Sequence, residues 1–157
     1  MDTKIYAAYG SNMNNRQMAV RCPGAIAIGK GVIEGYRLTF RRGGFANIEP
    51  AAKERVPVVL WRTNDQHEWA LDRYEGFPRF YIKKNIEVDT YPAGEPVKAY
   101  VYVMADEMRG EYTVPSAHYF TGVWQGCRDH GLDCSHLDAA LARVYDDSKE
   151  EDFYEHK

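Results

Sequence analysis

The sequence lacks the features that mark several classes of protein. Its three cysteines, Cys22, Cys127 and Cys134, form no Cys-x-x-Cys pair, so neither a disulfide framework nor a structural zinc site is expected. No stretch approaches the ~20 apolar residues that a membrane span needs. No basic segment followed by an apolar stretch opens the chain, so no signal peptide is expected. We therefore expect a cytoplasmic protein that has no membrane partner.

An excess of basic residues is also missing. The 20 Lys and Arg residues stand against 23 Asp and Glu residues, which gives a formal net charge of -3. Proteins that bind nucleic acid usually carry a basic balance or stripe, so no nucleic-acid partner is expected. The histidines show no close metal-ligand spacing, and surface or helix-capping roles are expected for His67, His118, His130, His136 and His156. We expect no metal.

One glycine-rich stretch, residues 24–30, has the spacing of a phosphate-binding loop. The next residue is Gly31, where the Ser or Thr that binds magnesium would stand. The interior of the stretch is β-like and no helix follows it. Nucleotide binding is therefore not expected here, and we expect no cofactor.

Length and composition indicate one soluble domain. The chain has 157 residues, of which 45% are hydrophobic and 27% are charged, and this is ordinary for a globular fold. No repeat or linker interrupts it. We predict a single domain at residues 1–145 and an acidic C-terminal tail at residues 146–157 that frays.

Hydrophobic periodicity and turn residues predict strands that cluster in the middle of the chain. This order favours an α+β fold, with a mixed, mostly antiparallel sheet that curls, or a small β-barrel, and helices packed outside. Strands are predicted at 4–9, at 25–40 in two pieces broken near Gly35, and at 56–62, 80–88 and 97–104. Pro57 belongs at the start of its strand or on an edge.

Helices are predicted at 14–21, 64–74 and 116–130, with a last helix capped by Ser135. In the helix at 64–74, Thr63 or Asn64 is the predicted N-cap, and Trp69, Leu71 and Tyr74 are the apolar positions.

The turn Tyr9-Gly10-Ser11-Asn12-Met13 follows the first predicted strand and opens a helix. A turn of this kind can point several backbone N–H groups at one spot, which binds negative charge without a basic side chain. The alternative is an ordinary loop in which Ser11 or Asn12 caps the helix.

Glu75 and Gly76 come directly after the helix predicted at 64–74. A carboxylate at the negative end of a helix, flanked by Tyr74, Phe77 and Phe80, should have a raised pKa, as a general base needs. The alternative is a solvated glutamate, with Gly76 as a helix stop. Arg16 and Arg21 are expected on a solvated face of the first helix.

Together these features resemble the γ-glutamylcyclotransferase-like family, whose superfamily includes the plant avirulence-induced proteins and the γ-glutamylamine cyclotransferases. The similarity rests on Tyr-Gly-Ser-Asn-Met near the start, Leu71-Asp72 with Glu75-Gly76 in the middle, and Pro115-Ser116 with Tyr119 ahead of a helix. It extends to about Leu141. The resemblance implies the α+β fold and an enzyme that releases 5-oxoproline from a γ-glutamyl amide.

The resemblance also implies roles for individual residues. Glu75 would be the catalytic acid-base, and the backbone of the turn would hold the α-carboxylate of the glutamyl group. Substrate binding is implied for Tyr9, Gly10, Ser11, Asn12, Met13, Tyr81, Tyr102 and Tyr119. Met13 stands where the family often has leucine, and Val58 where it often has glycine.

The expected partner is a small γ-glutamyl substrate, and the expected state is a monomer or a homodimer. The sequence does not identify the leaving amine or amino acid. A non-catalytic module that binds a small ligand or a partner on the same fold is the alternative function.

Overall fold

The structure is a computed structural model that describes the backbone of residues 2–155 and the side chains of residues 2–146. Its strands are β1 (Lys4–Ala8), β2 (Ile26–Arg41), β3 (Phe45–Thr63), β4 (Tyr81–Tyr91) and β5 (Pro96–Met104). They close into a barrel in the order β1-β3-β2-β4-β5. All neighbours are antiparallel except β1 and β5, which run parallel where Tyr6 pairs with Tyr100. The predicted α+β class and the small, mostly antiparallel barrel are confirmed.

Four α-helices occur within residues 2–155. They are α1 (Asn15–Arg21), α2 (Asp65–Glu75), α3 (Ala117–Asp129) and α4 (Ser135–Glu155). Short 3-10 turns lie at Ser11–Met13, Arg42–Gly44 and Asp106–Met108. Of the helices in the described residues, none has the length and apolar character that a bilayer crossing requires.

Strand β1 is short and buried because it lies between two other strands. It pairs with β3 from Lys4 opposite Thr63 to Ala8 opposite Val59, and β5 lies on its other side. A strand enclosed in this way carries a continuous apolar run instead of an alternating one. β1 ends at Ala8, so Tyr9 leads into the turn that follows.

Strand β2 is continuous, whereas the sequence predicted two pieces broken near Gly35. The pairing of β2 with β3 shifts its register between Glu34 and Tyr36, and Gly35 has a φ of +80°. The glycine therefore marks a bulge that bends the strand without ending it.

Strand β3 is much longer than the prediction at 56–62, because its first half was missed. Buried polar side chains hide the strand pattern there. The amide oxygen of Asn47 accepts the Met104 N–H at 2.8 Å, and the Glu49 carboxylate accepts bonds from Arg41 at 2.7 and 2.9 Å. Pro57 lies opposite Val32 in a part of β3 that β1 does not reach, which is the kind of edge position predicted for it.

Helix α2 agrees with the prediction at its ends and differs on its faces. Asn64 is the N-cap and exchanges bonds with His67, and Gly76 ends the helix at a φ of +66°. Of the three predicted apolar positions, Leu71 alone is buried. Trp69 is 61% exposed and Tyr74 is 44% exposed. The buried face carries His67 and Leu71, which lie four residues apart on one side of the helix.

Helix α3 matches its prediction closely. Ser116 is the N-cap, and its hydroxyl accepts the Tyr119 N–H at 3.1 Å. Gly131 follows the helix at a φ of +70°, which is the left-handed conformation expected after a helix end.

The start and length of α4 correct two predictions. Ser135 is the first residue of the helix and therefore follows the N-cap position, and its N–H donates to the Asp133 carboxylate at 3.0 Å. The backbone of residues 146–155 is helical, whereas the sequence predicted a tail that frays from Asp146. The division into a domain and a tail stays a prediction. Met1, His156 and Lys157 lie outside the described residues.

The contact between α3 and the turn after β1 requires glycine at one position. A Cβ on Gly126 would lie 2.6 Å from the Asn14 nitrogen and 2.7 Å from the Met13 carbonyl carbon. Backbone atoms cannot yield as a flexible side chain can. We expect Gly126→Ala to destabilise the protein by about 1–3 kcal/mol, measured by urea unfolding.

Gly122→Ala is the matched control on the same helix. A Cβ there meets the far end of the Gln17 side chain at 2.8 Å, which can move, and alanine favours the helix. We expect a change within about 1 kcal/mol of wild type. Equal destabilisation by the two substitutions would show that the contact of Gly126 with the turn is not tight.

Candidate active site

The turn after β1 places two buried polar side chains against a cavity. Ser11–Met13 forms a 3-10 turn in which the Met13 N–H donates to the Gly10 carbonyl at 3.0 Å. The N–H groups of Ser11 and Asn12 precede that bond, so they have no partner within the turn. Asn14 then caps α1 by accepting the N–H groups of Arg16 and Gln17. The helix-capping alternative for Ser11 or Asn12 is therefore wrong.

Side chains from remote elements fix the turn. The Asn12 amide donates to the Tyr6 hydroxyl at 3.1 Å, and the Ser11 hydroxyl bonds the Tyr74 hydroxyl at 3.1 Å. Both side chains are buried. Their orientation is therefore held by β1 and α2 as well as by the turn itself.

Arg21 belongs to this site, although the sequence predicted a solvated helix face for it. Its guanidinium donates to the Asn12 amide oxygen and lies 3.5 Å from the Ser11 hydroxyl. It stacks on the Tyr74 ring, 3.6 Å from the ring centroid. Side chains on a helix lean toward its N-terminus. A long side chain in the last turn of a short helix can therefore reach the preceding loop, which is the signal that the prediction overlooked.

Glu75 is the last residue of α2, and its carboxyl group lines the same cavity as the turn. The side chain is half-buried, and among the described residues nothing donates a hydrogen bond to it. Burial raises the pKa of Glu75 to about 7, and the positive charge of Arg21 opposes part of that rise. The carboxyl group is thus partly withdrawn from solvent at the cavity wall, in the direction that the sequence predicted.

The aromatic surroundings of Glu75 differ in one respect from the prediction. Tyr74 and Phe80 line the cavity with it. Phe77 does not, because its ring is exposed and packs under the Lys83 ammonium, 4.5 Å from the ring centroid.

Two tyrosines bind the backbone of Ala46 at the start of β3. The Tyr81 hydroxyl donates to the Ala46 carbonyl at 2.8 Å, and the Tyr119 hydroxyl accepts the Ala46 N–H at 3.1 Å. These bonds satisfy strand groups that would otherwise be unpaired. They also fix both rings at the cavity wall.

Tyr102 and Tyr9 form a second tyrosine pair. The Tyr9 hydroxyl donates to the Tyr102 carbonyl at 2.6 Å, and the Tyr102 hydroxyl donates to Asp72 at 2.6 Å. Burial raises the pKa of Tyr9, Tyr81, Tyr102 and Tyr119 well above the ordinary value of a phenol. All four are therefore neutral hydroxyls at neutral pH.

The cavity has a volume of about 310 Å³, which is within the range of small-ligand sites. Of the nine residues predicted for the site, all but Met13 line it. Met13 is fully buried in the core behind the turn. The wall also contains seven residues that sequence reasoning did not select: Tyr6, Phe45, Ala46, Arg73, Tyr74, Gly76 and Phe80. They come from β1, β3, the end of α2 and the segment between α2 and β4, which meet only in the folded barrel.

The raised pKa of Glu75 predicts how stability depends on pH. Between the unfolded pKa near 4.5 and the folded pKa of about 7, the folded state binds a proton that the unfolded state has released. The stabilisation is therefore complete below pH 4.5 and is lost as the pH rises through 7. Relative to wild type, Glu75→Gln should gain at most about 3 kcal/mol of unfolding free energy between pH 5 and pH 8.

Guanidinium unfolding at the two pH values measures that gain. Glu34→Gln, on an exposed position of β2, is the control and should follow wild type at both. A stability difference between Glu75→Gln and wild type that stays constant across this range would contradict the assigned burial of the carboxyl group.

Comparisons with known proteins found relatives in both sequence and structure. The family model described as "Gamma-glutamyl cyclotransferase, AIG2-like" matches residues 6–121. The mouse gamma-glutamylcyclotransferase is 28% identical over 142 residues, which cover 83% of this chain and 73% of the mouse protein. The human gamma-glutamylcyclotransferase is 26% identical over 139 residues, which cover 82% of this chain and 72% of the human protein.

Solved structures share the fold. A gamma-glutamyl cyclotransferase structure superposes with a TM-score of 0.80 at 24% identity, covering 90% of this chain and 88% of that chain. A yeast gamma-glutamyl cyclotransferase described as specific to glutathione superposes with a TM-score of 0.62 at 12% identity, covering 93% and 97% of the two chains. With a family model that matches most of its length, this chain belongs to the enzyme family of gamma-glutamyl cyclotransferases of the AIG2-like type.

Proposed function

We propose that this protein converts a γ-glutamyl amide into 5-oxoproline and a free amine or amino acid by intramolecular aminolysis. The observation that carries the proposal is the arrangement of the Gly10–Asn12 turn and the Glu75 carboxyl around one cavity. Membership of the family supports the reaction type. We further propose a cytoplasmic location, a small-molecule substrate and a monomer or homodimer.

The turn is suited to bind the α-carboxylate of the glutamyl group. The N–H groups of Ser11 and Asn12 can donate to it, and the Arg21 guanidinium lies behind them with its positive charge. Binding at this point leaves the rest of the glutamyl group free to fold back, so that its α-nitrogen approaches its own γ-carbonyl.

Glu75 is suited to move the proton. With a pKa of about 7, a useful fraction of the carboxyl groups is ionised at neutral pH and can accept a proton from the α-ammonium. The amine then attacks the γ-carbonyl, and a carbon–nitrogen bond closes the five-membered lactam. As the bond from the γ-carbon to the leaving nitrogen breaks, the protonated Glu75 gives its proton to that nitrogen. The ring nitrogen then releases its second proton to the regenerated Glu75 carboxylate, which passes it to the released amine or to solvent.

Two cavity hydroxyls can stabilise the oxyanion that forms on the γ-carbonyl. Tyr119 accepts the Ala46 N–H, and Tyr6 accepts the Asn12 amide. Among the described residues neither hydroxyl proton has an acceptor, so each can be donated to the substrate. Separately, the clamp on the α-carboxylate holds the amine against the γ-carbonyl, and orientation of this kind can supply up to about 7–11 kcal/mol of the barrier reduction.

The role of Glu75 predicts a large effect of a small change. Glu75→Gln keeps the shape of the side chain and removes the base, so turnover should fall ~100-fold or more. The measurement is 5-oxoproline release, followed by mass spectrometry over a panel of γ-glutamyl dipeptides and γ-glutamylamines. Circular dichroism should show an unchanged fold.

Glu34→Gln is the activity control, since Glu34 is exposed on β2 and does not line the cavity. Wild-type turnover in Glu75→Gln would end the assignment of the base. A folded wild-type protein that forms no 5-oxoproline from any member of the panel would favour the non-catalytic binding module instead.

A further inference from the structure

The wall of the cavity that is formed by the start of β3 and the segment after α2 is aromatic. The Phe45 ring packs edge-to-face against Tyr119 at 5.4 Å and against Phe80 at 6.5 Å between centroids. Phe45 is 43% exposed although it lines the cavity, so part of its ring faces solvent. An apolar group of the ligand would cover that exposed ring surface.

One cation at the cavity wall has no anionic partner among the described residues. Arg73 lines the cavity, and its guanidinium makes no hydrogen bond or ion pair with any of them. Its guanidinium rests over the Trp69 ring, 4.8 Å from the centroid. Arg21, in contrast, is already bound to Asn12 and Gln17. Arg73 is therefore the guanidinium that remains available to a ligand.

The cavity wall, as far as the structure describes it, offers a positive charge to a leaving group, and no carboxylate besides the catalytic candidate Glu75. Glu75 is the only carboxylate among the residues that line this cavity in the described part of the chain, and the reaction uses it as the base. A leaving group with a second ammonium group would find no carboxylate to pair with and would face the charge of Arg73. A leaving group with a carboxylate would find a guanidinium, which binds carboxylates through two parallel donors.

We propose that Arg73 and the Phe45–Phe80 pair form the leaving-group subsite, and that it selects an α-amino acid with a large apolar or aromatic side chain. This inference rests on the proposed cyclotransferase function and specifies its substrate. Arg73 binds the α-carboxylate of the leaving amino acid, and the two phenylalanine rings contact its side chain. Arg73 is thus a specificity-determining residue that does not act on the reacting atoms.

A pair of substrates isolates the carboxylate. γ-Glutamyl-phenylalanine and γ-glutamyl-phenethylamine differ only in the carboxylate of the leaving group. Wild type should turn over the first with a kcat/KM about fivefold higher, as expected for an exposed but charge-assisted contact. Arg73→Gln should bring the ratio of the two kcat/KM values close to one. Any effect of the substitution on the pKa of Glu75 acts on both substrates and cancels in that ratio.

Arg128→Gln is the matched control. Arg128 stacks over Trp124, four residues before it on α3, at 5.1 Å, just as Arg73 stacks over Trp69 on α2. Arg128 does not line the cavity. Its substitution should keep the wild-type ratio.

A third substrate tests the aromatic contact. The preference is the ratio of kcat/KM for γ-glutamyl-phenylalanine to kcat/KM for γ-glutamyl-alanine. Phe45→Ala should reduce this ratio severalfold, because the phenyl ring of the substrate loses its contact with the Phe45 ring.

The outcomes separate this inference from the proposed function. Equal kcat/KM values of wild type for the two phenyl substrates would contradict the proposed subsite, and so would a wild-type ratio in Arg73→Gln. In both cases the release of 5-oxoproline would still support the proposed cyclotransferase activity. If a folded wild-type protein releases no 5-oxoproline from any of them, the proposed function fails and the subsite fails with it.

Discussion

The position of the turn after β1 is the constraint on which the site depends. Gly126 of α3 packs against its backbone from behind, so closely that a methyl group would overlap the Met13 carbonyl carbon. On the side that faces the cavity, Tyr6 and Arg21 bind Asn12. A segment held from both sides loses little further entropy when it binds an anion. The rigidity of the turn therefore comes from α1, α3 and β1, and hardly from its own sequence.

Glu75 shows the opposite arrangement, because its environment opposes the charged form. Burial favours the neutral acid, and the described residues supply no donor that would offset the lost hydration. Arg21 keeps the effect moderate, since its charge opposes the rise in pKa. The balance between desolvation and the charge of Arg21 therefore sets the pKa of Glu75 close to neutral pH. Above that pH the ionised carboxylate lowers the stability of the folded protein. The same guanidinium that fixes the turn thus also adjusts the acid.

Local sequence predicted the parts of this protein whose structure is decided locally. The turn at Gly10 and the glutamate before Gly76 lie at strand and helix ends, where glycine and capping residues give clear signals. The first half of β3 escaped prediction because Asn47 is paired with a remote backbone group, which breaks the apolar alternation. Arg21 was missed for a related reason. Whether an arginine side chain faces solvent or a neighbouring loop depends on how the elements pack in three dimensions. The hydrophobic periodicity of the sequence carries no information on that packing.

Two groups of residues that line the cavity differ in how firmly the fold holds them. Ser11 and Asn12 are buried, and their side chains are hydrogen-bonded to other elements, so a substitution there disturbs the barrel. Phe45 and Arg73 are exposed, and the contacts of their side chains are with the rings of Tyr119, Phe80 and Trp69. Replacing an exposed residue changes stability little. Substitutions at Phe45 and Arg73, the residues of the proposed leaving-group subsite, should therefore cost the fold less than substitutions in the turn.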